Sequence, residues 1–128
     1  MPTNPIVYVV DDDESVRESV TGLLRSFGIE SRAYESAEAF LAGYDPTRPL
    51  CVLLDVTMPG LSGVELQEQL LAEGRSVPIV FITARMEDGL RSRLLSRGAI
   101  ACLVKPFQEE ELLRAVRTAL GQDREGPG

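Results

Sequence analysis

The sequence predicts an α/β fold, a doubly wound five-stranded parallel sheet in the order 2-1-3-4-5 with five helices. Three observations lead to this prediction. Short apolar segments recur along the chain, segments with helical spacing separate them, and glycines follow three of these helical segments. Strict alternation of strands and helices is typical of parallel sheets with helices on both faces. In such a sheet the functional cleft lies at the carboxyl ends of the strands.

Five apolar segments are the predicted strands. Three of them are nearly continuous and rich in Val, Ile and Leu, as in strands that are buried on both faces. The second segment alternates apolar and polar residues, which is typical of an edge strand. The segments are Ile6–Val10, Ile29–Tyr34, Leu50–Leu54, Ile79–Ile82 and Ala101–Val104.

Five segments with helical spacing follow these strands. Ser36 can cap the second helix, and Ser62 opens the third helix in a capping-box pattern with Glu65. Glycines at positions 28, 74 and 98 supply C-terminal stops. The helices are expected from Val16 to Phe27, after Ser36, from Ser62 toward Gly74, from Glu87 to Arg97 and from about Glu109 to Leu120.

The length of 128 residues fits a single domain, which we assign to residues 1–121. Residues 122–128 (QDREGPG) are polar and glycine-rich, and we expect a linker stump or a free tail. No apolar run approaches the roughly 18 residues that cross a bilayer, and the start of the chain lacks the pattern of an export signal. Cys51 and Cys102 stand inside apolar segments, as core cysteines do. We therefore expect a cytoplasmic protein with no membrane contact.

Charge and composition exclude several functions. Thirteen basic residues against twenty acidic ones give a net charge of -7, without a basic block, so we expect this domain itself to bind no nucleic acid. The chain contains no histidine. This excludes a His-ligated zinc site and a Ser-His-Asp triad.

Chemically distinctive residues stand at the ends of four predicted strands. Asp11, Asp12 and Asp13 follow the first strand, Asp55 the third, Thr83 the fourth, and Lys105 the fifth. These four strands are neighbours in the predicted order, so the side chains converge on one edge of the sheet. Gathered carboxylates repel each other, and a cation relieves the repulsion. Ligands that are all oxygen favour Mg²⁺ first and Mn²⁺ next.

This set of groups suits phosphoryl transfer. The reaction needs a positioned nucleophilic oxygen, a metal ion, and donors for the equatorial oxygens of the transferred group. Asp55 can act as the nucleophile and form an acyl phosphate, while Thr83 and Lys105 can bind phosphoryl oxygens. Asp13, in contrast, is expected to serve only at the start of the first helix.

Four runs of residues resemble the receiver domains of two-component response regulators. They are Val10–Asp12, Leu54–Gly63, Ile82–Ala84 and Val104–Phe107, in the right order and spacing within residues 6–120. The runs Ser36–Leu41 and Ser62–Leu66 are similar to the nitrogen-fixation regulator subgroup, whose members commonly carry a helix-turn-helix output domain. The resemblance implies a flavodoxin-like sheet and a phosphorylation-dependent switch, here the receiver of a transcriptional regulator.

The resemblance also implies a metal site. Asp12 and Asp55 would bind Mg²⁺ through side-chain oxygens, Asp11 would help through a water molecule, and the backbone carbonyl of Thr57 would supply a further ligand.

The catalytic set implied by the resemblance is Asp55, Thr83 and Lys105. Asp55 would accept the phosphoryl group from a sensor histidine kinase or a phosphotransfer protein, and Thr83 and Lys105 would hold it. The Lys105–Pro106 peptide would be cis. Such a domain is an autocatalytic acceptor that dephosphorylates itself, and not an enzyme with a separate substrate. Its output domain or protein partner would bind helix 4, strand 5 and helix 5, and phosphorylation could create a homodimer.

Two features depart from the family pattern. Receivers usually carry an aromatic residue three positions before the lysine, where its rotamer follows phosphorylation, and here that position is Cys102. Thr57 and Arg85 occupy the two positions that tune the lifetime of the phosphoryl group.

Four other functions differ from this interpretation in the residues or the output that they need. A stand-alone receiver that regulates a protein partner differs only in its output. A Mg-dependent phosphatase of the haloacid dehalogenase type would need a second aspartate where Thr57 stands. A degenerate receiver would lack the phosphorylation residues, and a flavodoxin-like nucleotide binder would need a glycine or Ser/Thr loop after the first strand, where acids stand instead.

Overall fold

The computed structural model describes residues 4–121, and it confirms the predicted α/β fold. The expected linker stump or tail at 122–128 lies outside the described residues. All strand pairs are parallel, and the sheet order is β2-β1-β3-β4-β5. The elements are β1 Ile6–Val10, α1 Glu14–Ser26, β2 Ser31–Tyr34, α2 Ala37–Gly43, β3 Leu50–Asp55, α3 Gly63–Ala72, β4 Ile79–Thr83, α4 Leu90–Ser96, β5 Ala101–Val104 and α5 Glu109–Ala119.

The sheet separates two apolar cores. Successive side chains of a strand point to opposite faces, so Tyr8 packs in the core beneath α2, α3 and α4, whereas Val7 and Val9 pack beneath α1 and α5. β1, β3 and β4 are buried along their whole length. Because both faces of these central strands are covered, their only open surface is at the strand ends.

The helix ends follow the sequence signals closely, with one exception. Ser36 caps α2, and Ser62 forms the expected capping box of α3 with Glu65. α4 was expected from Glu87 but begins at Leu90. Gly89 precedes it in the left-handed conformation, with φ of 78°, and offers no side chain for a cap. The glycine therefore ends a turn instead of continuing a helix.

Aromatic side chains are concentrated at one corner of the molecule. Tyr8, Tyr34, Phe40 and Tyr44 contact each other, with ring centroids 4.5 to 6.2 Å apart. This aromatic cluster joins α2 to β1 and β2 and fixes the position of α2 against the sheet.

Two further findings bear on the sequence predictions. The Lys105–Pro106 peptide is cis, as expected. Across residues 4–121, none of the helices has the length and apolar character that crossing a bilayer requires.

Candidate functional site

Three carboxylates meet at the carboxyl end of the sheet. Val10 of β1 pairs with Leu54 of β3, so the residues that follow them, Asp11 and Asp55, are neighbours. Asp11 is fully buried, Asp55 is 6% exposed, and Asp12 faces solvent. One carboxylate oxygen from each of these three residues lies within 4.8 Å of the others. The structure thus brings together the acids that the sequence singled out.

Lys105 supplies the positive charge of this site. Its ammonium nitrogen Nζ lies 2.8 Å from Oδ2 of Asp11 and 3.6 Å from Oδ2 of Asp55. Burial acts to lower the pKa of Lys105, but the hydrogen bond to Asp11 and the charges of Asp55 and Asp11 outweigh it and raise that pKa. The lysine therefore stays charged, and one cation faces three carboxylates.

Asp55 is held in an environment that disfavours its charge. Burial, followed by the negative charge of Asp11, raises the pKa of Asp55 from 3.8 to about 6, against the opposing effect of Lys105. The amide of Thr57 also donates to Oδ1 of Asp55 at 3.2 Å. An additional cation beside Asp55 would oppose these effects and favour its ionised carboxylate.

Thr83 lies at the end of β4, beside Lys105, which directly follows β5. The Lys105 amide donates to the Thr83 carbonyl at 2.8 Å, which keeps the two strand ends in register. The hydroxyl of Thr83 makes two hydrogen bonds with the backbone of Arg85. It donates to the Arg85 carbonyl at 3.0 Å and accepts from the Arg85 amide at 3.2 Å. Thr83 is 4% exposed, whereas Arg85 faces solvent.

The donor set fits a hard divalent cation. The three carboxylates lie close enough to share one ion, and no thiol or imidazole stands among them. Uncompensated negative charge remains after Lys105 is counted, so a small divalent ion would relieve repulsion that the protein groups leave in place. The residues present therefore suit Mg²⁺.

Cys102 lies within β5, three residues before Lys105. Its side chain belongs to the core beneath α2, α3 and α4, and it is 3% exposed. Its carbonyl oxygen accepts a hydrogen bond of 2.8 Å from Nη1 of Arg91 on α4. An arginine thus links α4 to β5 at position 102.

Several residues around the site were not identified from the sequence. Nη1 of Arg17 donates to the Asp11 carbonyl at 2.7 Å, and Oε2 of Glu38 accepts from the Leu61 amide at 3.1 Å. A Cβ at Gly63 would lie 2.2 Å from the carbonyl oxygen of Asp55, so only glycine fits there. The run Leu54–Gly63 contained this glycine, but its contact with Asp55 required coordinates. Arg17 and Glu38 look like ordinary surface residues in the sequence.

Comparison with known proteins identifies the domain type. Residues 7–117 match the family model described as the response regulator receiver domain. Response regulator protein TmoT of Ectopseudomonas mendocina is 40% identical over 115 residues, which are 90% of this chain and 52% of TmoT. Transcriptional regulatory protein TdiR of Thauera aromatica is 40% identical over 119 residues, 93% of this chain and 52% of TdiR. The chain spans about half the length of these curated relatives.

The fold comparison agrees with this. The crystal structure of FixJ-N matches with a TM-score of 0.84 and 30% identity, covering 96% of this chain and 98% of that one. The match thus extends over nearly all of a solved domain of the same size. The chain belongs to the response regulator receiver domain family.

Proposed function

We propose that this domain accepts a phosphoryl group on Asp55 from a phosphohistidine of a sensor histidine kinase or a phosphotransfer protein. The observation that carries the proposal is the pairing of a buried carboxylate, Asp55, with the ammonium of Lys105 at 3.6 Å and two further acids within 4.8 Å. These are the groups that a carboxylate nucleophile and a transferred phosphoryl group require.

The reaction balances with the groups at hand. A carboxylate oxygen of Asp55 attacks phosphorus, the new P–O bond forms, the P–N bond to the donor imidazole breaks, and the imidazole nitrogen keeps the electron pair. Asp12 and Asp55 would bind Mg²⁺ directly, Asp11 through a water, and Thr57 through its carbonyl. The bound ion would neutralise charge that develops on the phosphoryl oxygens.

Thr83 and Lys105 would then change partners. The hydroxyl of Thr83 now donates to the Arg85 carbonyl at 3.0 Å, so it must leave that carbonyl to donate to a phosphoryl oxygen. Lys105 is bound to Asp11 at 2.8 Å and must share its charge with the new dianion. The exchange of hydrogen bonds at Thr83 would alter the backbone between β4 and α4, which provides a route from Asp55 to the surface. The domain acts here as an acceptor that later dephosphorylates itself, without a separate substrate.

The surface formed by α4, β5 and α5 is our candidate for partner binding. Three large apolar side chains are exposed in this region of α4 and β5: Leu95 at 40%, Ile100 at 37% and Val104 at 38%. Leu95, Ile100 and Val104 line the same surface depression, and contiguous exposed apolar patches mark interaction surfaces. Its partner would be an output domain, another protein, or a second copy of this domain after phosphorylation. The name of TdiR, a transcriptional regulatory protein, supports a transcriptional output.

The test is phosphorylation with acetyl phosphate and Mg²⁺, followed by intact-mass measurement. We expect one added phosphoryl group on the wild type, and none on Asp55→Asn. Asp88→Asn, which changes an exposed aspartate outside the site, is the matched control and should be phosphorylated normally. An adduct of unchanged stoichiometry on Asp55→Asn would refute the assignment.

The metal requirement is tested separately. Excess EDTA should abolish phosphorylation, because an acidic pocket without a cation repels a phosphorylated donor. Mn²⁺ should replace Mg²⁺. Asp12→Ala should weaken metal binding more than the other substitutions of first-strand acids. Undiminished phosphorylation in EDTA would contradict the metal site.

A further inference from the structure

The segment between Asp55 and α3, residues 57–62, carries the Thr57 carbonyl, and three of its backbone amides donate hydrogen bonds to side chains. Two of these hydrogen bonds have acceptors no more than three residues away in sequence. The Thr57 amide donates to Oδ1 of Asp55 at 3.2 Å, and the Ser62 amide donates to Oε1 of Glu65 at 2.9 Å. Between these two ends, the Leu61 amide donates to Oε2 of Glu38 at 3.1 Å.

Glu38 reaches this segment from a different element. It stands in the first turn of α2, 23 residues before Leu61 in sequence. Within residues 4–121, Glu38 is the only side chain from outside residues 55–65 that hydrogen-bonds to the backbone of 57–62. Its own helix does not depend on it for a cap, because the Ser36 hydroxyl already accepts from the Ala39 amide.

The contact is close as well as polar. Gly60 has φ of 75°, and a Cβ built there would lie 2.9 Å from Oε2 of Glu38. Glycine at this position thus serves two purposes, because it permits the left-handed turn and leaves room for the carboxylate. The Glu38 carboxylate therefore contacts the turn at both Gly60 and Leu61.

We infer that Glu38 is a positioning residue for the metal site, and that it holds residues 57–62, and with them the Thr57 carbonyl, in place beside Asp55. This inference rests on the proposed role of Thr57 as a metal ligand. The anchor lies on α2, and the aromatic cluster in turn holds α2 against β1 and β2. The segment with the metal carbonyl is thereby tied to the rigid part of the sheet.

The contact between Glu38 and the Leu61 amide joins two runs of residues that occur together in this sequence. Ser36–Leu41 supplies the carboxylate, and Pro59–Gly63 supplies the turn that receives it. Without Pro59–Gly63, Glu38 would have no backbone amide to bind, and without Glu38 the loop would lose its anchor on α2.

The experiment compares three substitutions of Glu38 in the whole chain. Glu38→Gln keeps an acceptor at the same reach, Glu38→Asp keeps the charge but shortens the side chain, and Glu38→Ala removes both. Glu35→Ala is the matched control, because Glu35 is exposed and makes no hydrogen bond in the described part of the chain. The probe is Mg²⁺ alone, titrated by ¹H–¹⁵N NMR, together with the Leu61 amide shift in metal-free protein.

We expect Glu38→Ala and Glu38→Asp to move the Leu61 amide to higher field and to weaken Mg²⁺ binding about fivefold, the ratio that corresponds to one hydrogen bond. Glu38→Gln and Glu35→Ala should keep the affinity within about twofold, since they retain the acceptor at Leu61. If Glu38→Ala is poorly folded, Glu38→Asp and Glu38→Gln show whether the length or the charge of the side chain matters. Weaker Mg²⁺ binding in Glu38→Asp but not in Glu38→Gln supports the inference.

Two failures are distinguishable. Equal Mg²⁺ affinity and an unchanged Leu61 amide in Glu38→Ala and Glu38→Asp would overturn the role of Glu38 and leave the metal site intact. No Mg²⁺ binding by the wild type at millimolar concentration would overturn the proposed metal site itself.

Discussion

The two loops that flank the acidic site are built differently. The β3–α3 loop, residues 57–62, is anchored by Asp55 and Glu38 and leads into a helix with a full capping box. The β4–α4 loop, residues 84–89, receives no hydrogen bond from a side chain of any other element within residues 4–121, apart from that of Thr83. It leads into α4, which has no side-chain cap.

This difference separates two tasks. The metal ligand that we propose at Thr57 must be held in one place, and the β3–α3 loop has the anchors to do so. Under the proposed function Thr83 must exchange partners, and its hydrogen bonds end in the loop that follows it. Elements with few anchors open at low free-energy cost, so the β4–α4 side can respond to a new ligand while the β3–α3 side stays fixed.

The largest effect is expected from a substitution at Gly63, the residue that follows the β3–α3 loop. In Gly63→Ala the new Cβ would lie 2.2 Å from the Asp55 carbonyl oxygen, and neither backbone segment can yield without displacing Asp55. We expect a loss of about 4 kcal/mol in the free energy of unfolding, measured with urea.

Gly22→Ala is the control for this change. Gly22 lies in α1 with nothing within 4 Å of a built Cβ, so alanine should stabilise the chain by about 0.5–1 kcal/mol. Equal effects of the two substitutions would show that the packing at position 63 is not tight.

The next largest effect is the pH dependence of stability that comes from Asp55, at the end of β3. The pKa of Asp55 is raised from 3.8 to about 6 by burial and by Asp11, so the folded chain binds more protons than the unfolded chain between these values. In EDTA, this contribution to stability is therefore present below pH 4 and is lost as pH rises through 6. The change should be on the order of 2–3 kcal/mol.

Urea unfolding at a series of pH values, with and without Mg²⁺, measures this effect. Asp55→Asn should remove most of the dependence, and Mg²⁺ should restore stability above pH 6. Stability in EDTA that rises across this pH range by the same amount in both proteins would contradict the prediction.

The attachment of α4, which follows the β4–α4 loop, is tested through Arg91. Its hydrogen bond of 2.8 Å to the Cys102 carbonyl ties α4 to β5, and Arg91→Ala removes it. We expect amide hydrogen exchange in Leu90–Ser96 to become about fivefold faster, as the loss of about 1 kcal/mol implies. Arg93→Ala is the control, because the Arg93 side chain is exposed and makes no hydrogen bond in the described residues. Identical exchange in both variants would mean that Arg91 does not restrain α4.

The smallest effect concerns Cys102. A cysteine buries less apolar area than an aromatic residue and couples less strongly to the movement of Thr83, so activation should be partial. Cys102→Tyr should increase the shift changes of Leu90–Ser96 on addition of beryllofluoride and Mg²⁺. If wild type and variant gave the same changes, the size of residue 102 would be irrelevant to the switch.

Much of the site could be predicted because the fold fixes where strands end. Once Ile6–Val10 and Leu50–Leu54 are identified as neighbouring parallel strands, Asp11 and Asp55 must meet. The start of α4 was placed three residues too early, because the helical spacing gave no weight to the left-handed turn at Gly89. The Glu38 and Arg91 contacts could not be predicted, since they depend on where long side chains reach across 23 and 11 residues.

The aromatic cluster has a spectroscopic consequence. The chain has no tryptophan and three tyrosines, and all three tyrosines lie in the cluster beside α2. Tyrosine fluorescence therefore originates entirely from the corner formed by α2, β1 and β2. Emission will monitor global unfolding well, but it originates away from α4, so activation has to be followed with a probe placed there.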